Sequence, residues 1–401
     1  MVDSPDAIPL SRPDISDVER RLVDDVLRSG RLALGPMTER FESMVAERAG
    51  CRHGVAMNSG TSALHVMLEG LGIGPGDEVI TTPLSFIASA NPILYVGATP
   101  VFVDVCPKTL NMDPAAVEAA ITPKTRGIMA VEAFGNPAYM DRYAQIAARH
   151  EILLLEDCCE ALGARVGGQS CGSFGRAGAF GFYPNKQITT GEGGMLVTDD
   201  EALAGIARSL RNQGRDSFPG GSSAGGSGER GREGRQLGAW LQHHRVGYNF
   251  RMSEISAAIG VGQMQRFDEI IERRQRVATL YIERLAGNEQ VVLPTVLPGC
   301  EPTWFVFVIR LAAGYTAEER DRIIAGLRTH DVGSAPYFPC IHLQPPYCER
   351  FGFGEGRFPI AESVSNRTIA LPFFGGMSAR DIDLVCQTLE VMLSRENLSR
   401  S

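Results

Sequence analysis

Residues 180–200 of the chain read FGFYPNKQITTGEGGMLVTDD. This stretch places a single lysine, Lys186, between a strand-like aromatic segment and a glycine-rich turn. A lysine in a loop is nearly always a solvated surface charge when nothing else surrounds it. The case for chemistry at Lys186 therefore depends on the segments around it.

Short apolar runs alternate with helix-like segments before Lys186. The apolar runs cover residues 77–81, 99–105, 127–131 and 152–156, and the helix-like segments cover residues 86–96, 114–121 and 140–150. Two more strand-like runs, AGAFGFY and GGMLVTD, flank Lys186. This alternation indicates an α/β fold with a mostly parallel central sheet that helices cover on both faces.

The pattern changes in the C-terminal part of the chain. A helical periodicity runs from Ser253 towards Leu285, and the strand-like run TWFVFVIRL and a helical segment follow it. We expect an N-terminal arm and a large domain over residues 1–262. A connecting helix and a smaller α+β domain are expected over residues 263–401.

One segment has too few apolar residues to order itself. Residues 214–238 read GRDSFPGGSSAGGSGERGREGRQLG and are rich in Gly, Ser and charged residues. We expect this segment to form a mobile loop or an insertion.

Composition and charge exclude several classes of function. The chain has 401 residues, of which 44% are hydrophobic, so it can bury a large core. The 39 Lys and Arg residues are outnumbered by 47 Asp and Glu residues, which gives a net charge of −8 and argues against binding to nucleic acid. Neither a signal-peptide pattern nor a run of about 18 apolar residues is present, so we expect a cytoplasmic protein without membrane contact.

The cysteines indicate packing residues. There are nine, and they form neither a CxxC pair nor a spacing with histidine that is typical of zinc sites. Cys158 and Cys159 are adjacent, and neighbouring residues rarely have the geometry for a disulfide. We expect reduced, mostly buried thiols and no metal site.

Two motifs lie where open α/β sheets bind ligands. Asp157 follows the apolar run ILLLE, so its carboxylate is expected at the carboxyl end of a strand, although it could instead cap a helix. The turn Ser59-Gly60-Thr61-Ser62 precedes a helix, whose free N–H groups and dipole favour a phosphate. The alternative for this turn is a capped helix start that binds nothing.

These motifs resemble those of the DegT-type sugar aminotransferases, a family of the fold type I aspartate aminotransferase superfamily. The resemblance runs from about Ile8 to Leu393 and includes LLEDCCEALGA, FGFYPNKQITTGEGG, RVGYNFRM and YFPCIHLQPPY. It leaves residues 216–236 unmatched. Enzymes of this family bind pyridoxal 5'-phosphate (PLP), so the resemblance implies PLP as cofactor and a homodimer with shared active sites.

The resemblance also implies a role for each motif. Lys186 would hold PLP as a Schiff base, and Asp157 would keep the pyridine nitrogen of the cofactor protonated. The SGTS turn would hold the phosphate through Gly60, Thr61 and Ser62. Phe86 would stack on the ring, although a lone phenylalanine is more often a core residue.

The chain departs from the family at two positions of the cofactor site. Glu160 stands where the family often has a glutamine that contacts the phenolic oxygen of PLP, so this acidic side chain is either protonated or has another role. Gly181 stands where the family commonly has a serine. One hydroxyl contact to the phosphate is therefore missing.

Three more residues match positions that the family uses for binding. Asn249, in RVGYNFRM, would reach across the dimer interface to the partner's phosphate. Arg251 would anchor the carboxylate of the amino donor, with a surface ion pair as the alternative. His342 lies in a proline-flanked loop and would touch substrate, with a structural histidine as the alternative.

The resemblance thus implies a PLP-dependent aminotransferase that transfers an amino group from an amino acid donor, such as L-glutamate, to a keto sugar. The resemblance implies a nucleotide-linked 3-keto or 4-keto deoxysugar. Relatives that catalyse sugar 3-dehydration have histidine in place of the lysine, so Lys186 favours transamination. Two alternatives stay open, namely an aminocyclitol-forming aminotransferase that acts on a keto-inositol and a non-catalytic regulatory member of the fold.

Overall fold

The computed structural model describes residues 7–215 and 242–400. In these ranges the α-helices are α1 (Asp17–Ser29), α2 (Pro36–Ala49), α3 (Gly60–Gly70), α4 (Asn91–Tyr95), α5 (Pro114–Ala119), α6 (Met140–Arg149), α7 (Glu201–Leu210), α8 (Glu254–Gln265), α9 (Phe267–Leu285), α10 (Ala317–Thr329), α11 (Pro345–Phe351), α12 (Pro359–Ser365) and α13 (Ala379–Arg400). The strands are β1 (His53–Met57), β2 (Glu78–Thr81), β3 (Thr99–Phe102), β4 (Thr125–Val131), β5 (Leu153–Asp157), β6 (Arg165–Val166), β7 (Gln169–Ser170), β8 (Ala177–Gly181), β9 (Gly194–Thr198), β10 (Val291–Val292), β11 (Cys300–Glu301), β12 (Phe307–Leu311) and β13 (Thr368–Leu371).

Seven strands form the large sheet, in the order β1-β9-β8-β5-β4-β2-β3. The neighbours from β8 to β3 pair in parallel, whereas β9 pairs antiparallel with both β8 and β1. The prediction of a mostly parallel sheet is confirmed. The two antiparallel pairings bring β9, which follows Lys186, back into the sheet next to β8, which precedes it.

Both faces of the large sheet are buried. Along β4, Ile128 and Ala130 pack into one hydrophobic cluster, which also contains Phe41 of α2. Met129 lies between them and packs into a second cluster with Leu64 of α3. Successive side chains of a strand point to opposite faces of the sheet, so a strand that is covered on both faces has a continuous apolar sequence. This burial leaves the carboxyl ends of the strands as the place for a ligand.

The C-terminal part contains a smaller antiparallel sheet in the order β10-β12-β13. Its core includes Tyr281 of α9, Leu327 of α10 and Leu389 of α13. A third sheet joins β11 to β6 and β7. The domain boundary expected between residues 262 and 263 falls inside α8 and stays a prediction.

Two predicted helices differ from the structure. The segment predicted as one helix over residues 86–96 is a 3-10 turn at Ile87–Ser89 followed by the short helix α4. Pro92 lacks an N–H and occupies the first turn of α4, where a proline is tolerated, so the helix restarts there.

The second difference is a break in the helix predicted from Ser253 to Leu285. The chain forms α8 and α9, which are separated at Arg266, where φ is −110° and ψ is 13°. The guanidinium of Arg266 lies 2.9 Å from Asp14 and 3.2 Å from Glu19 of α1. Hydrophobic periodicity does not encode a backbone change at one residue, which is why the sequence predicted a continuous helix.

The mobile loop expected over residues 214–238 lies outside the described residues from residue 216 onward. In the part of the chain that the structure covers, no helix combines the length and the apolar character needed to span a membrane.

Candidate active site

A cavity of about 700 Å³ lies at the carboxyl ends of β4, β5 and β8. Val131, Asp157 and Gly181 are the last residues of these strands, and all three line the cavity. The strands run parallel, so their carboxyl ends meet at one edge of the sheet, where open α/β sheets bind ligands. Lys186 and Glu160 line the same cavity.

Lys186 is held between a carboxylate and an aromatic ring. Its Nζ lies 3.5 Å from Oε1 of Glu160 and 3.9 Å from the centre of the Phe305 ring. The side chain is only 15% exposed. These contacts replace most of the water around the amine, so Lys186 is not a solvated surface charge.

Asp157 is buried, and two hydrogen bonds fix its carboxylate. The Ser89 hydroxyl donates to Oδ2 at 2.6 Å, and the backbone N–H of Cys159 donates to Oδ1 at 3.2 Å. Ser85 supports this arrangement, because its Oγ lies 2.8 Å from that of Ser89. The chain continues from Asp157 to β6, and no helix starts in between, so the helix-cap alternative is wrong.

The SGTS turn forms the first turn of α3. The Ser59 side chain accepts a hydrogen bond from the backbone N–H of Ser62 at 3.1 Å, and Ser62 Oγ donates to Asn58 Oδ1 at 2.7 Å. Ser62 is buried, whereas Gly60 and Thr61 line the cavity. The first N–H groups of a helix have no acceptor within the helix. The structure thus places Gly60 and Thr61, but not the Ser62 side chain, where a phosphate would be held.

Phe86 is a wall of the cavity. Its side chain is 59% exposed and lines the cavity, so the core alternative is wrong for this residue. Tyr183 lines the cavity as well and is 53% exposed. The ring of Phe338 lies 6.5 Å from that of Phe86. The exposed rings of Phe86 and Tyr183 offer flat apolar surfaces to an aromatic or sugar ring.

Glu160 is buried beside Lys186. Its Oε2 accepts a hydrogen bond from the backbone N–H of Phe134 at 2.8 Å. Burial raises the pKa of Glu160, while the positive charge of Lys186 and the Phe134 N–H act in the opposite direction. In this chain the acidic side chain of Glu160 therefore lies beside the basic side chain of Lys186.

The thiol of Cys159 fills space next to two glycines of the cavity. A Cβ atom on Gly181, the position of the family's serine, would lie 3.4 Å from both Cβ and Sγ of Cys159. A Cβ atom on Gly60 would lie 2.8 Å from the same sulfur. Cys158 and Cys159 are both free thiols, as expected.

Two of the predicted binding residues lie outside the lining of this cavity. Asn249 is exposed and pairs by backbone with Asn212. Arg251 donates from Nη1 to the side-chain oxygen of Asn212 at 2.9 Å. Neither residue contacts the cavity of its own chain, so their predicted roles depend on a second copy of the chain.

His342 is a core residue, which corrects the expectation of a substrate contact. It is fully buried and does not line the cavity. Its Nε2 lies 3.0 Å from Oε1 of Glu362, and its ring packs 4.7 Å from that of Phe358. Proline-flanked loops are usually exposed, but this one folds over an aromatic cluster.

We expect His342→Ala to destabilise the fold by about 2–4 kcal/mol, because it opens a buried cavity and removes a hydrogen-bond partner of Glu362. Burial lowers the pKa of His342 below 6.5, so its contribution to stability should decrease as the pH falls below 6.5. Thermal unfolding at pH 5.5 and 7.5 measures both effects. Weaker substrate binding without loss of stability would instead support a substrate contact.

The structure adds site residues that the sequence did not single out. Ser89 orients Asp157, Phe305 lies under Lys186, and Tyr337 and Asn185 line the cavity. The amide oxygen of Asn185 is buried and has no hydrogen-bond partner. Asn185 and Tyr337 lie within the matched motifs FGFYPNKQITTGEGG and YFPCIHLQPPY, which were a detectable signal, whereas Phe305 comes from a distant segment with no local motif.

Comparisons with known proteins agree with this geometry. The sequence profile described as the DegT/DnrJ/EryC1/StrS aminotransferase family matches residues 13–390. A GDP-perosamine synthase of Caulobacter vibrioides is 38% identical over 389 residues, which are 96% of this chain and 98% of the relative. The spore coat polysaccharide biosynthesis protein SpsC of Bacillus subtilis is 36% identical over 95% of this chain and 96% of its own length.

Solved structures show the same fold. DesV of S. venezuelae superposes with a TM-score of 0.83 at 33% identity, over 96% of this chain and 98% of its own. A Streptococcus pneumoniae protein solved in a PLP form superposes with a TM-score of 0.88 at 28% identity, over 97% of this chain and 99% of its own. The same protein has also been solved in a PMP form.

The groups that line the cavity fit PLP. The first turn of α3 offers N–H groups for a phosphate, and Asp157 offers a buried carboxylate for a pyridinium nitrogen. Lys186 offers an amine, and Phe86 offers an exposed ring. A phosphate, an aromatic nitrogen, an aldehyde and a flat ring thus each meet a suitable group.

Proposed function

Because the chain belongs to the DegT/DnrJ/EryC1/StrS aminotransferase family, whose enzymes use PLP, we propose that it transfers an amino group from an amino acid to a keto sugar. The observation that carries the proposal is the single cavity that contains Lys186, Asp157 and the first turn of α3. A non-catalytic member of the fold would have no need of this set of groups. L-Glutamate is the proposed donor.

Four residues of this chain would hold the cofactor. Gly60 and Thr61 would bind the phosphate through their N–H groups, Phe86 would cover the ring, and Asp157 would face its nitrogen. When bound, PLP supplies an electron sink that allows the C–H bond beside the transferred nitrogen to break. The hydrogen bonds from Ser89 and Cys159 keep the Asp157 carboxylate in place for this purpose.

Lys186 is the proposed proton carrier. Its amine lies inside the cavity and is shielded from solvent by Phe305. A neutral amine there can take a proton from the carbon of the donor and return it to a neighbouring carbon. Shielding from water protects this transfer from exchange with solvent.

The proposed acceptor is a keto sugar linked to a nucleotide, with the ketone at position 3 or 4. The exposed rings of Phe86 and Tyr183 and the half-buried ring of Phe338 provide surfaces for ring packing, and the Asn185 oxygen can accept a hydrogen bond from a hydroxyl. The relative described as a GDP-perosamine synthase supports a GDP-linked sugar as the first substrate to test.

The test is a panel of nucleotide-linked 3-keto and 4-keto sugars, with a keto-inositol included, assayed for glutamate-dependent amination. Amination of a nucleotide-linked sugar would support the proposal, and amination of the keto-inositol alone would replace it with aminocyclitol formation. The purified protein should also be yellow, with a visible absorption band that shifts on addition of L-glutamate. Protein that stays colourless after incubation with PLP would contradict an enzymatic role.

We also propose a homodimer in which Asn249 completes the partner's site. If so, mixing Lys186→Ala chains with Asn249→Ala chains should restore up to about a quarter of wild-type activity, because half of the randomly formed dimers carry one intact site. The control is Lys186→Ala mixed with the double variant Lys186→Ala/Asn249→Ala, which has no intact combination. Absence of restored activity, with subunit exchange shown by mass spectrometry, would count against shared sites.

The cytoplasmic location remains a proposal. All nine cysteines lie in the described ranges and are free thiols, which suits a reducing compartment.

A further inference from the structure

The contact between Glu160 and Lys186 has a chemical consequence beyond binding. We propose that Glu160 accepts the proton that Lys186 must lose before its amine can act as a base. This inference rests on the aminotransferase function proposed above. It makes Glu160 a positioning residue, which acts on the reaction through the lysine.

The geometry holds the two groups at the distance of an ion pair. Oε1 of Glu160 lies 3.5 Å from Nζ of Lys186, and the other carboxylate oxygen is fixed by the Phe134 N–H at 2.8 Å. The carbonyl oxygen of Glu160 accepts a hydrogen bond from the side chain of Gln187, so the backbone is fixed as well. Only Oε1 is left to face the amine, and a small rotation of the lysine brings it within hydrogen-bond distance.

The surroundings raise the proton affinity of Glu160. Its residue is only 4% exposed, and burial disfavours the charged form of a carboxyl group. The negative charge of Asp157 also raises the pKa of Glu160, whereas Lys186 lowers it. Among the other titratable groups of the cavity, burial raises the pKa of Cys159 and Tyr337, so neither competes as a proton acceptor at neutral pH, and Tyr183 and Glu192 are exposed.

The step moves one proton inside the pair. An N–H bond of the Lys186 ammonium breaks and an O–H bond forms on Oε1 of Glu160. The ammonium becomes a neutral amine and the carboxylate becomes a carboxylic acid, so nothing is oxidised or reduced. A glutamine at this position can contact the amine but cannot take its proton.

Glu160→Gln tests this role through the pH dependence of the first half-reaction. With L-glutamate in single-turnover experiments, the wild-type rate should change by less than about threefold between pH 6.5 and 8, because the proton moves within the pair. The variant must lose the proton to water, so its rate should be about 10–100-fold lower at pH 6.5 and should rise about tenfold per pH unit. If Glu160 only stabilised the ammonium, its removal would instead make the variant as fast as the wild type or faster at pH 6.5, and this result would overturn the proposal.

Glu192→Gln is the matched control for removal of a negative charge. Glu192 lines the same cavity but is exposed. Its replacement should leave the shape of the rate–pH profile as in the wild type. The same change of slope in both variants would overturn a specific role for Glu160.

A second measurement needs neither substrate nor turnover. In cofactor-free Lys186→Ala protein, Glu160 loses its cation and should bind a proton in the folded state. If the pKa of Glu160 is higher in the folded than in the unfolded state, Glu160 stabilises the fold at low pH. This stability is lost as the pH rises through the pKa of the folded state. The melting temperature of Lys186→Ala should therefore fall by several degrees between pH 5 and 8 relative to that of Lys186→Ala/Glu160→Gln.

If the melting temperatures of Lys186→Ala and Lys186→Ala/Glu160→Gln changed with pH in the same way, Glu160 would not take up the proton. This result would overturn the inference. The melting-temperature measurement stays informative even if L-glutamate proves not to be the donor. A failure of the proposed function can thus be distinguished from a failure of the proton pair.

Discussion

Lys186→Ala is expected to lower kcat by about 10⁴-fold, the largest effect of any single substitution in this chain. The variant loses the only cavity-lining amine of the described residues, and acid–base catalysis by one positioned group contributes up to about 10⁴-fold. The visible absorption of the bound cofactor should change too, because no lysine is left to bond to it. Single-turnover kinetics with L-glutamate and an absorption spectrum measure the two effects.

Lys186→Arg separates the charge of the lysine from its chemistry. Arginine keeps a cation beside Glu160 and Phe305, but it does not become a neutral base at accessible pH. We therefore expect Lys186→Arg to fold with near wild-type stability and to remain inactive. A rate above about one-tenth of the wild-type rate in either variant would contradict the role of Lys186 as proton carrier.

Asp157→Asn is expected to have the second largest effect, a decrease in kcat of about 10²–10³-fold. Asparagine has the same shape, and its side-chain oxygen can accept a hydrogen bond from Ser89 or the Cys159 N–H, so the fold should lose less than about 1 kcal/mol. The negative charge that holds a proton on the ring nitrogen is lost. Steady-state kinetics together with thermal unfolding measure the contrast.

Ser89→Ala serves as the control for orientation. It keeps the charge of Asp157 but removes one of its two hydrogen bonds, so we expect kcat to decrease about tenfold. Equal losses in Asp157→Asn and Ser89→Ala would mean that the charge itself is not needed. A loss of stability that parallels the loss of rate would assign Asp157 a structural role.

The sequence predicted the parts of the site that short motifs encode. Lys186 and Asp157 each lie in a continuous segment with its own pattern, a glycine-rich turn and an apolar strand end. The parallel sheet follows from the same runs, because strands buried on both faces must be apolar throughout. The SGTS turn was placed correctly as a helix start, although the Ser62 side chain turns away from the cavity.

Contacts between distant segments could not be predicted in this way. Phe305 lies 119 positions after Lys186 in the chain, and its place under the amine depends on how the C-terminal part packs on the large sheet. His342 looked accessible because prolines flank it, but burial depends on the aromatic residues that surround it in space. At the break, Arg266 forms ion pairs with Asp14 and with Glu19 of the first helix, which no local pattern reveals.

The packing of Cys159 against Gly60 and Gly181 has a consequence for the history of the sequence. A side chain larger than glycine at position 60 would meet the Cys159 sulfur, and a serine at position 181 would have to orient its hydroxyl away from it. The residues tolerated at positions 60 and 159 are thus epistatic, because each limits the size of the other, whereas a Cβ at position 181 meets the cysteine at an ordinary contact distance. A larger residue at position 60 would require a smaller one at position 159 first, so the order of substitutions at these two positions is constrained.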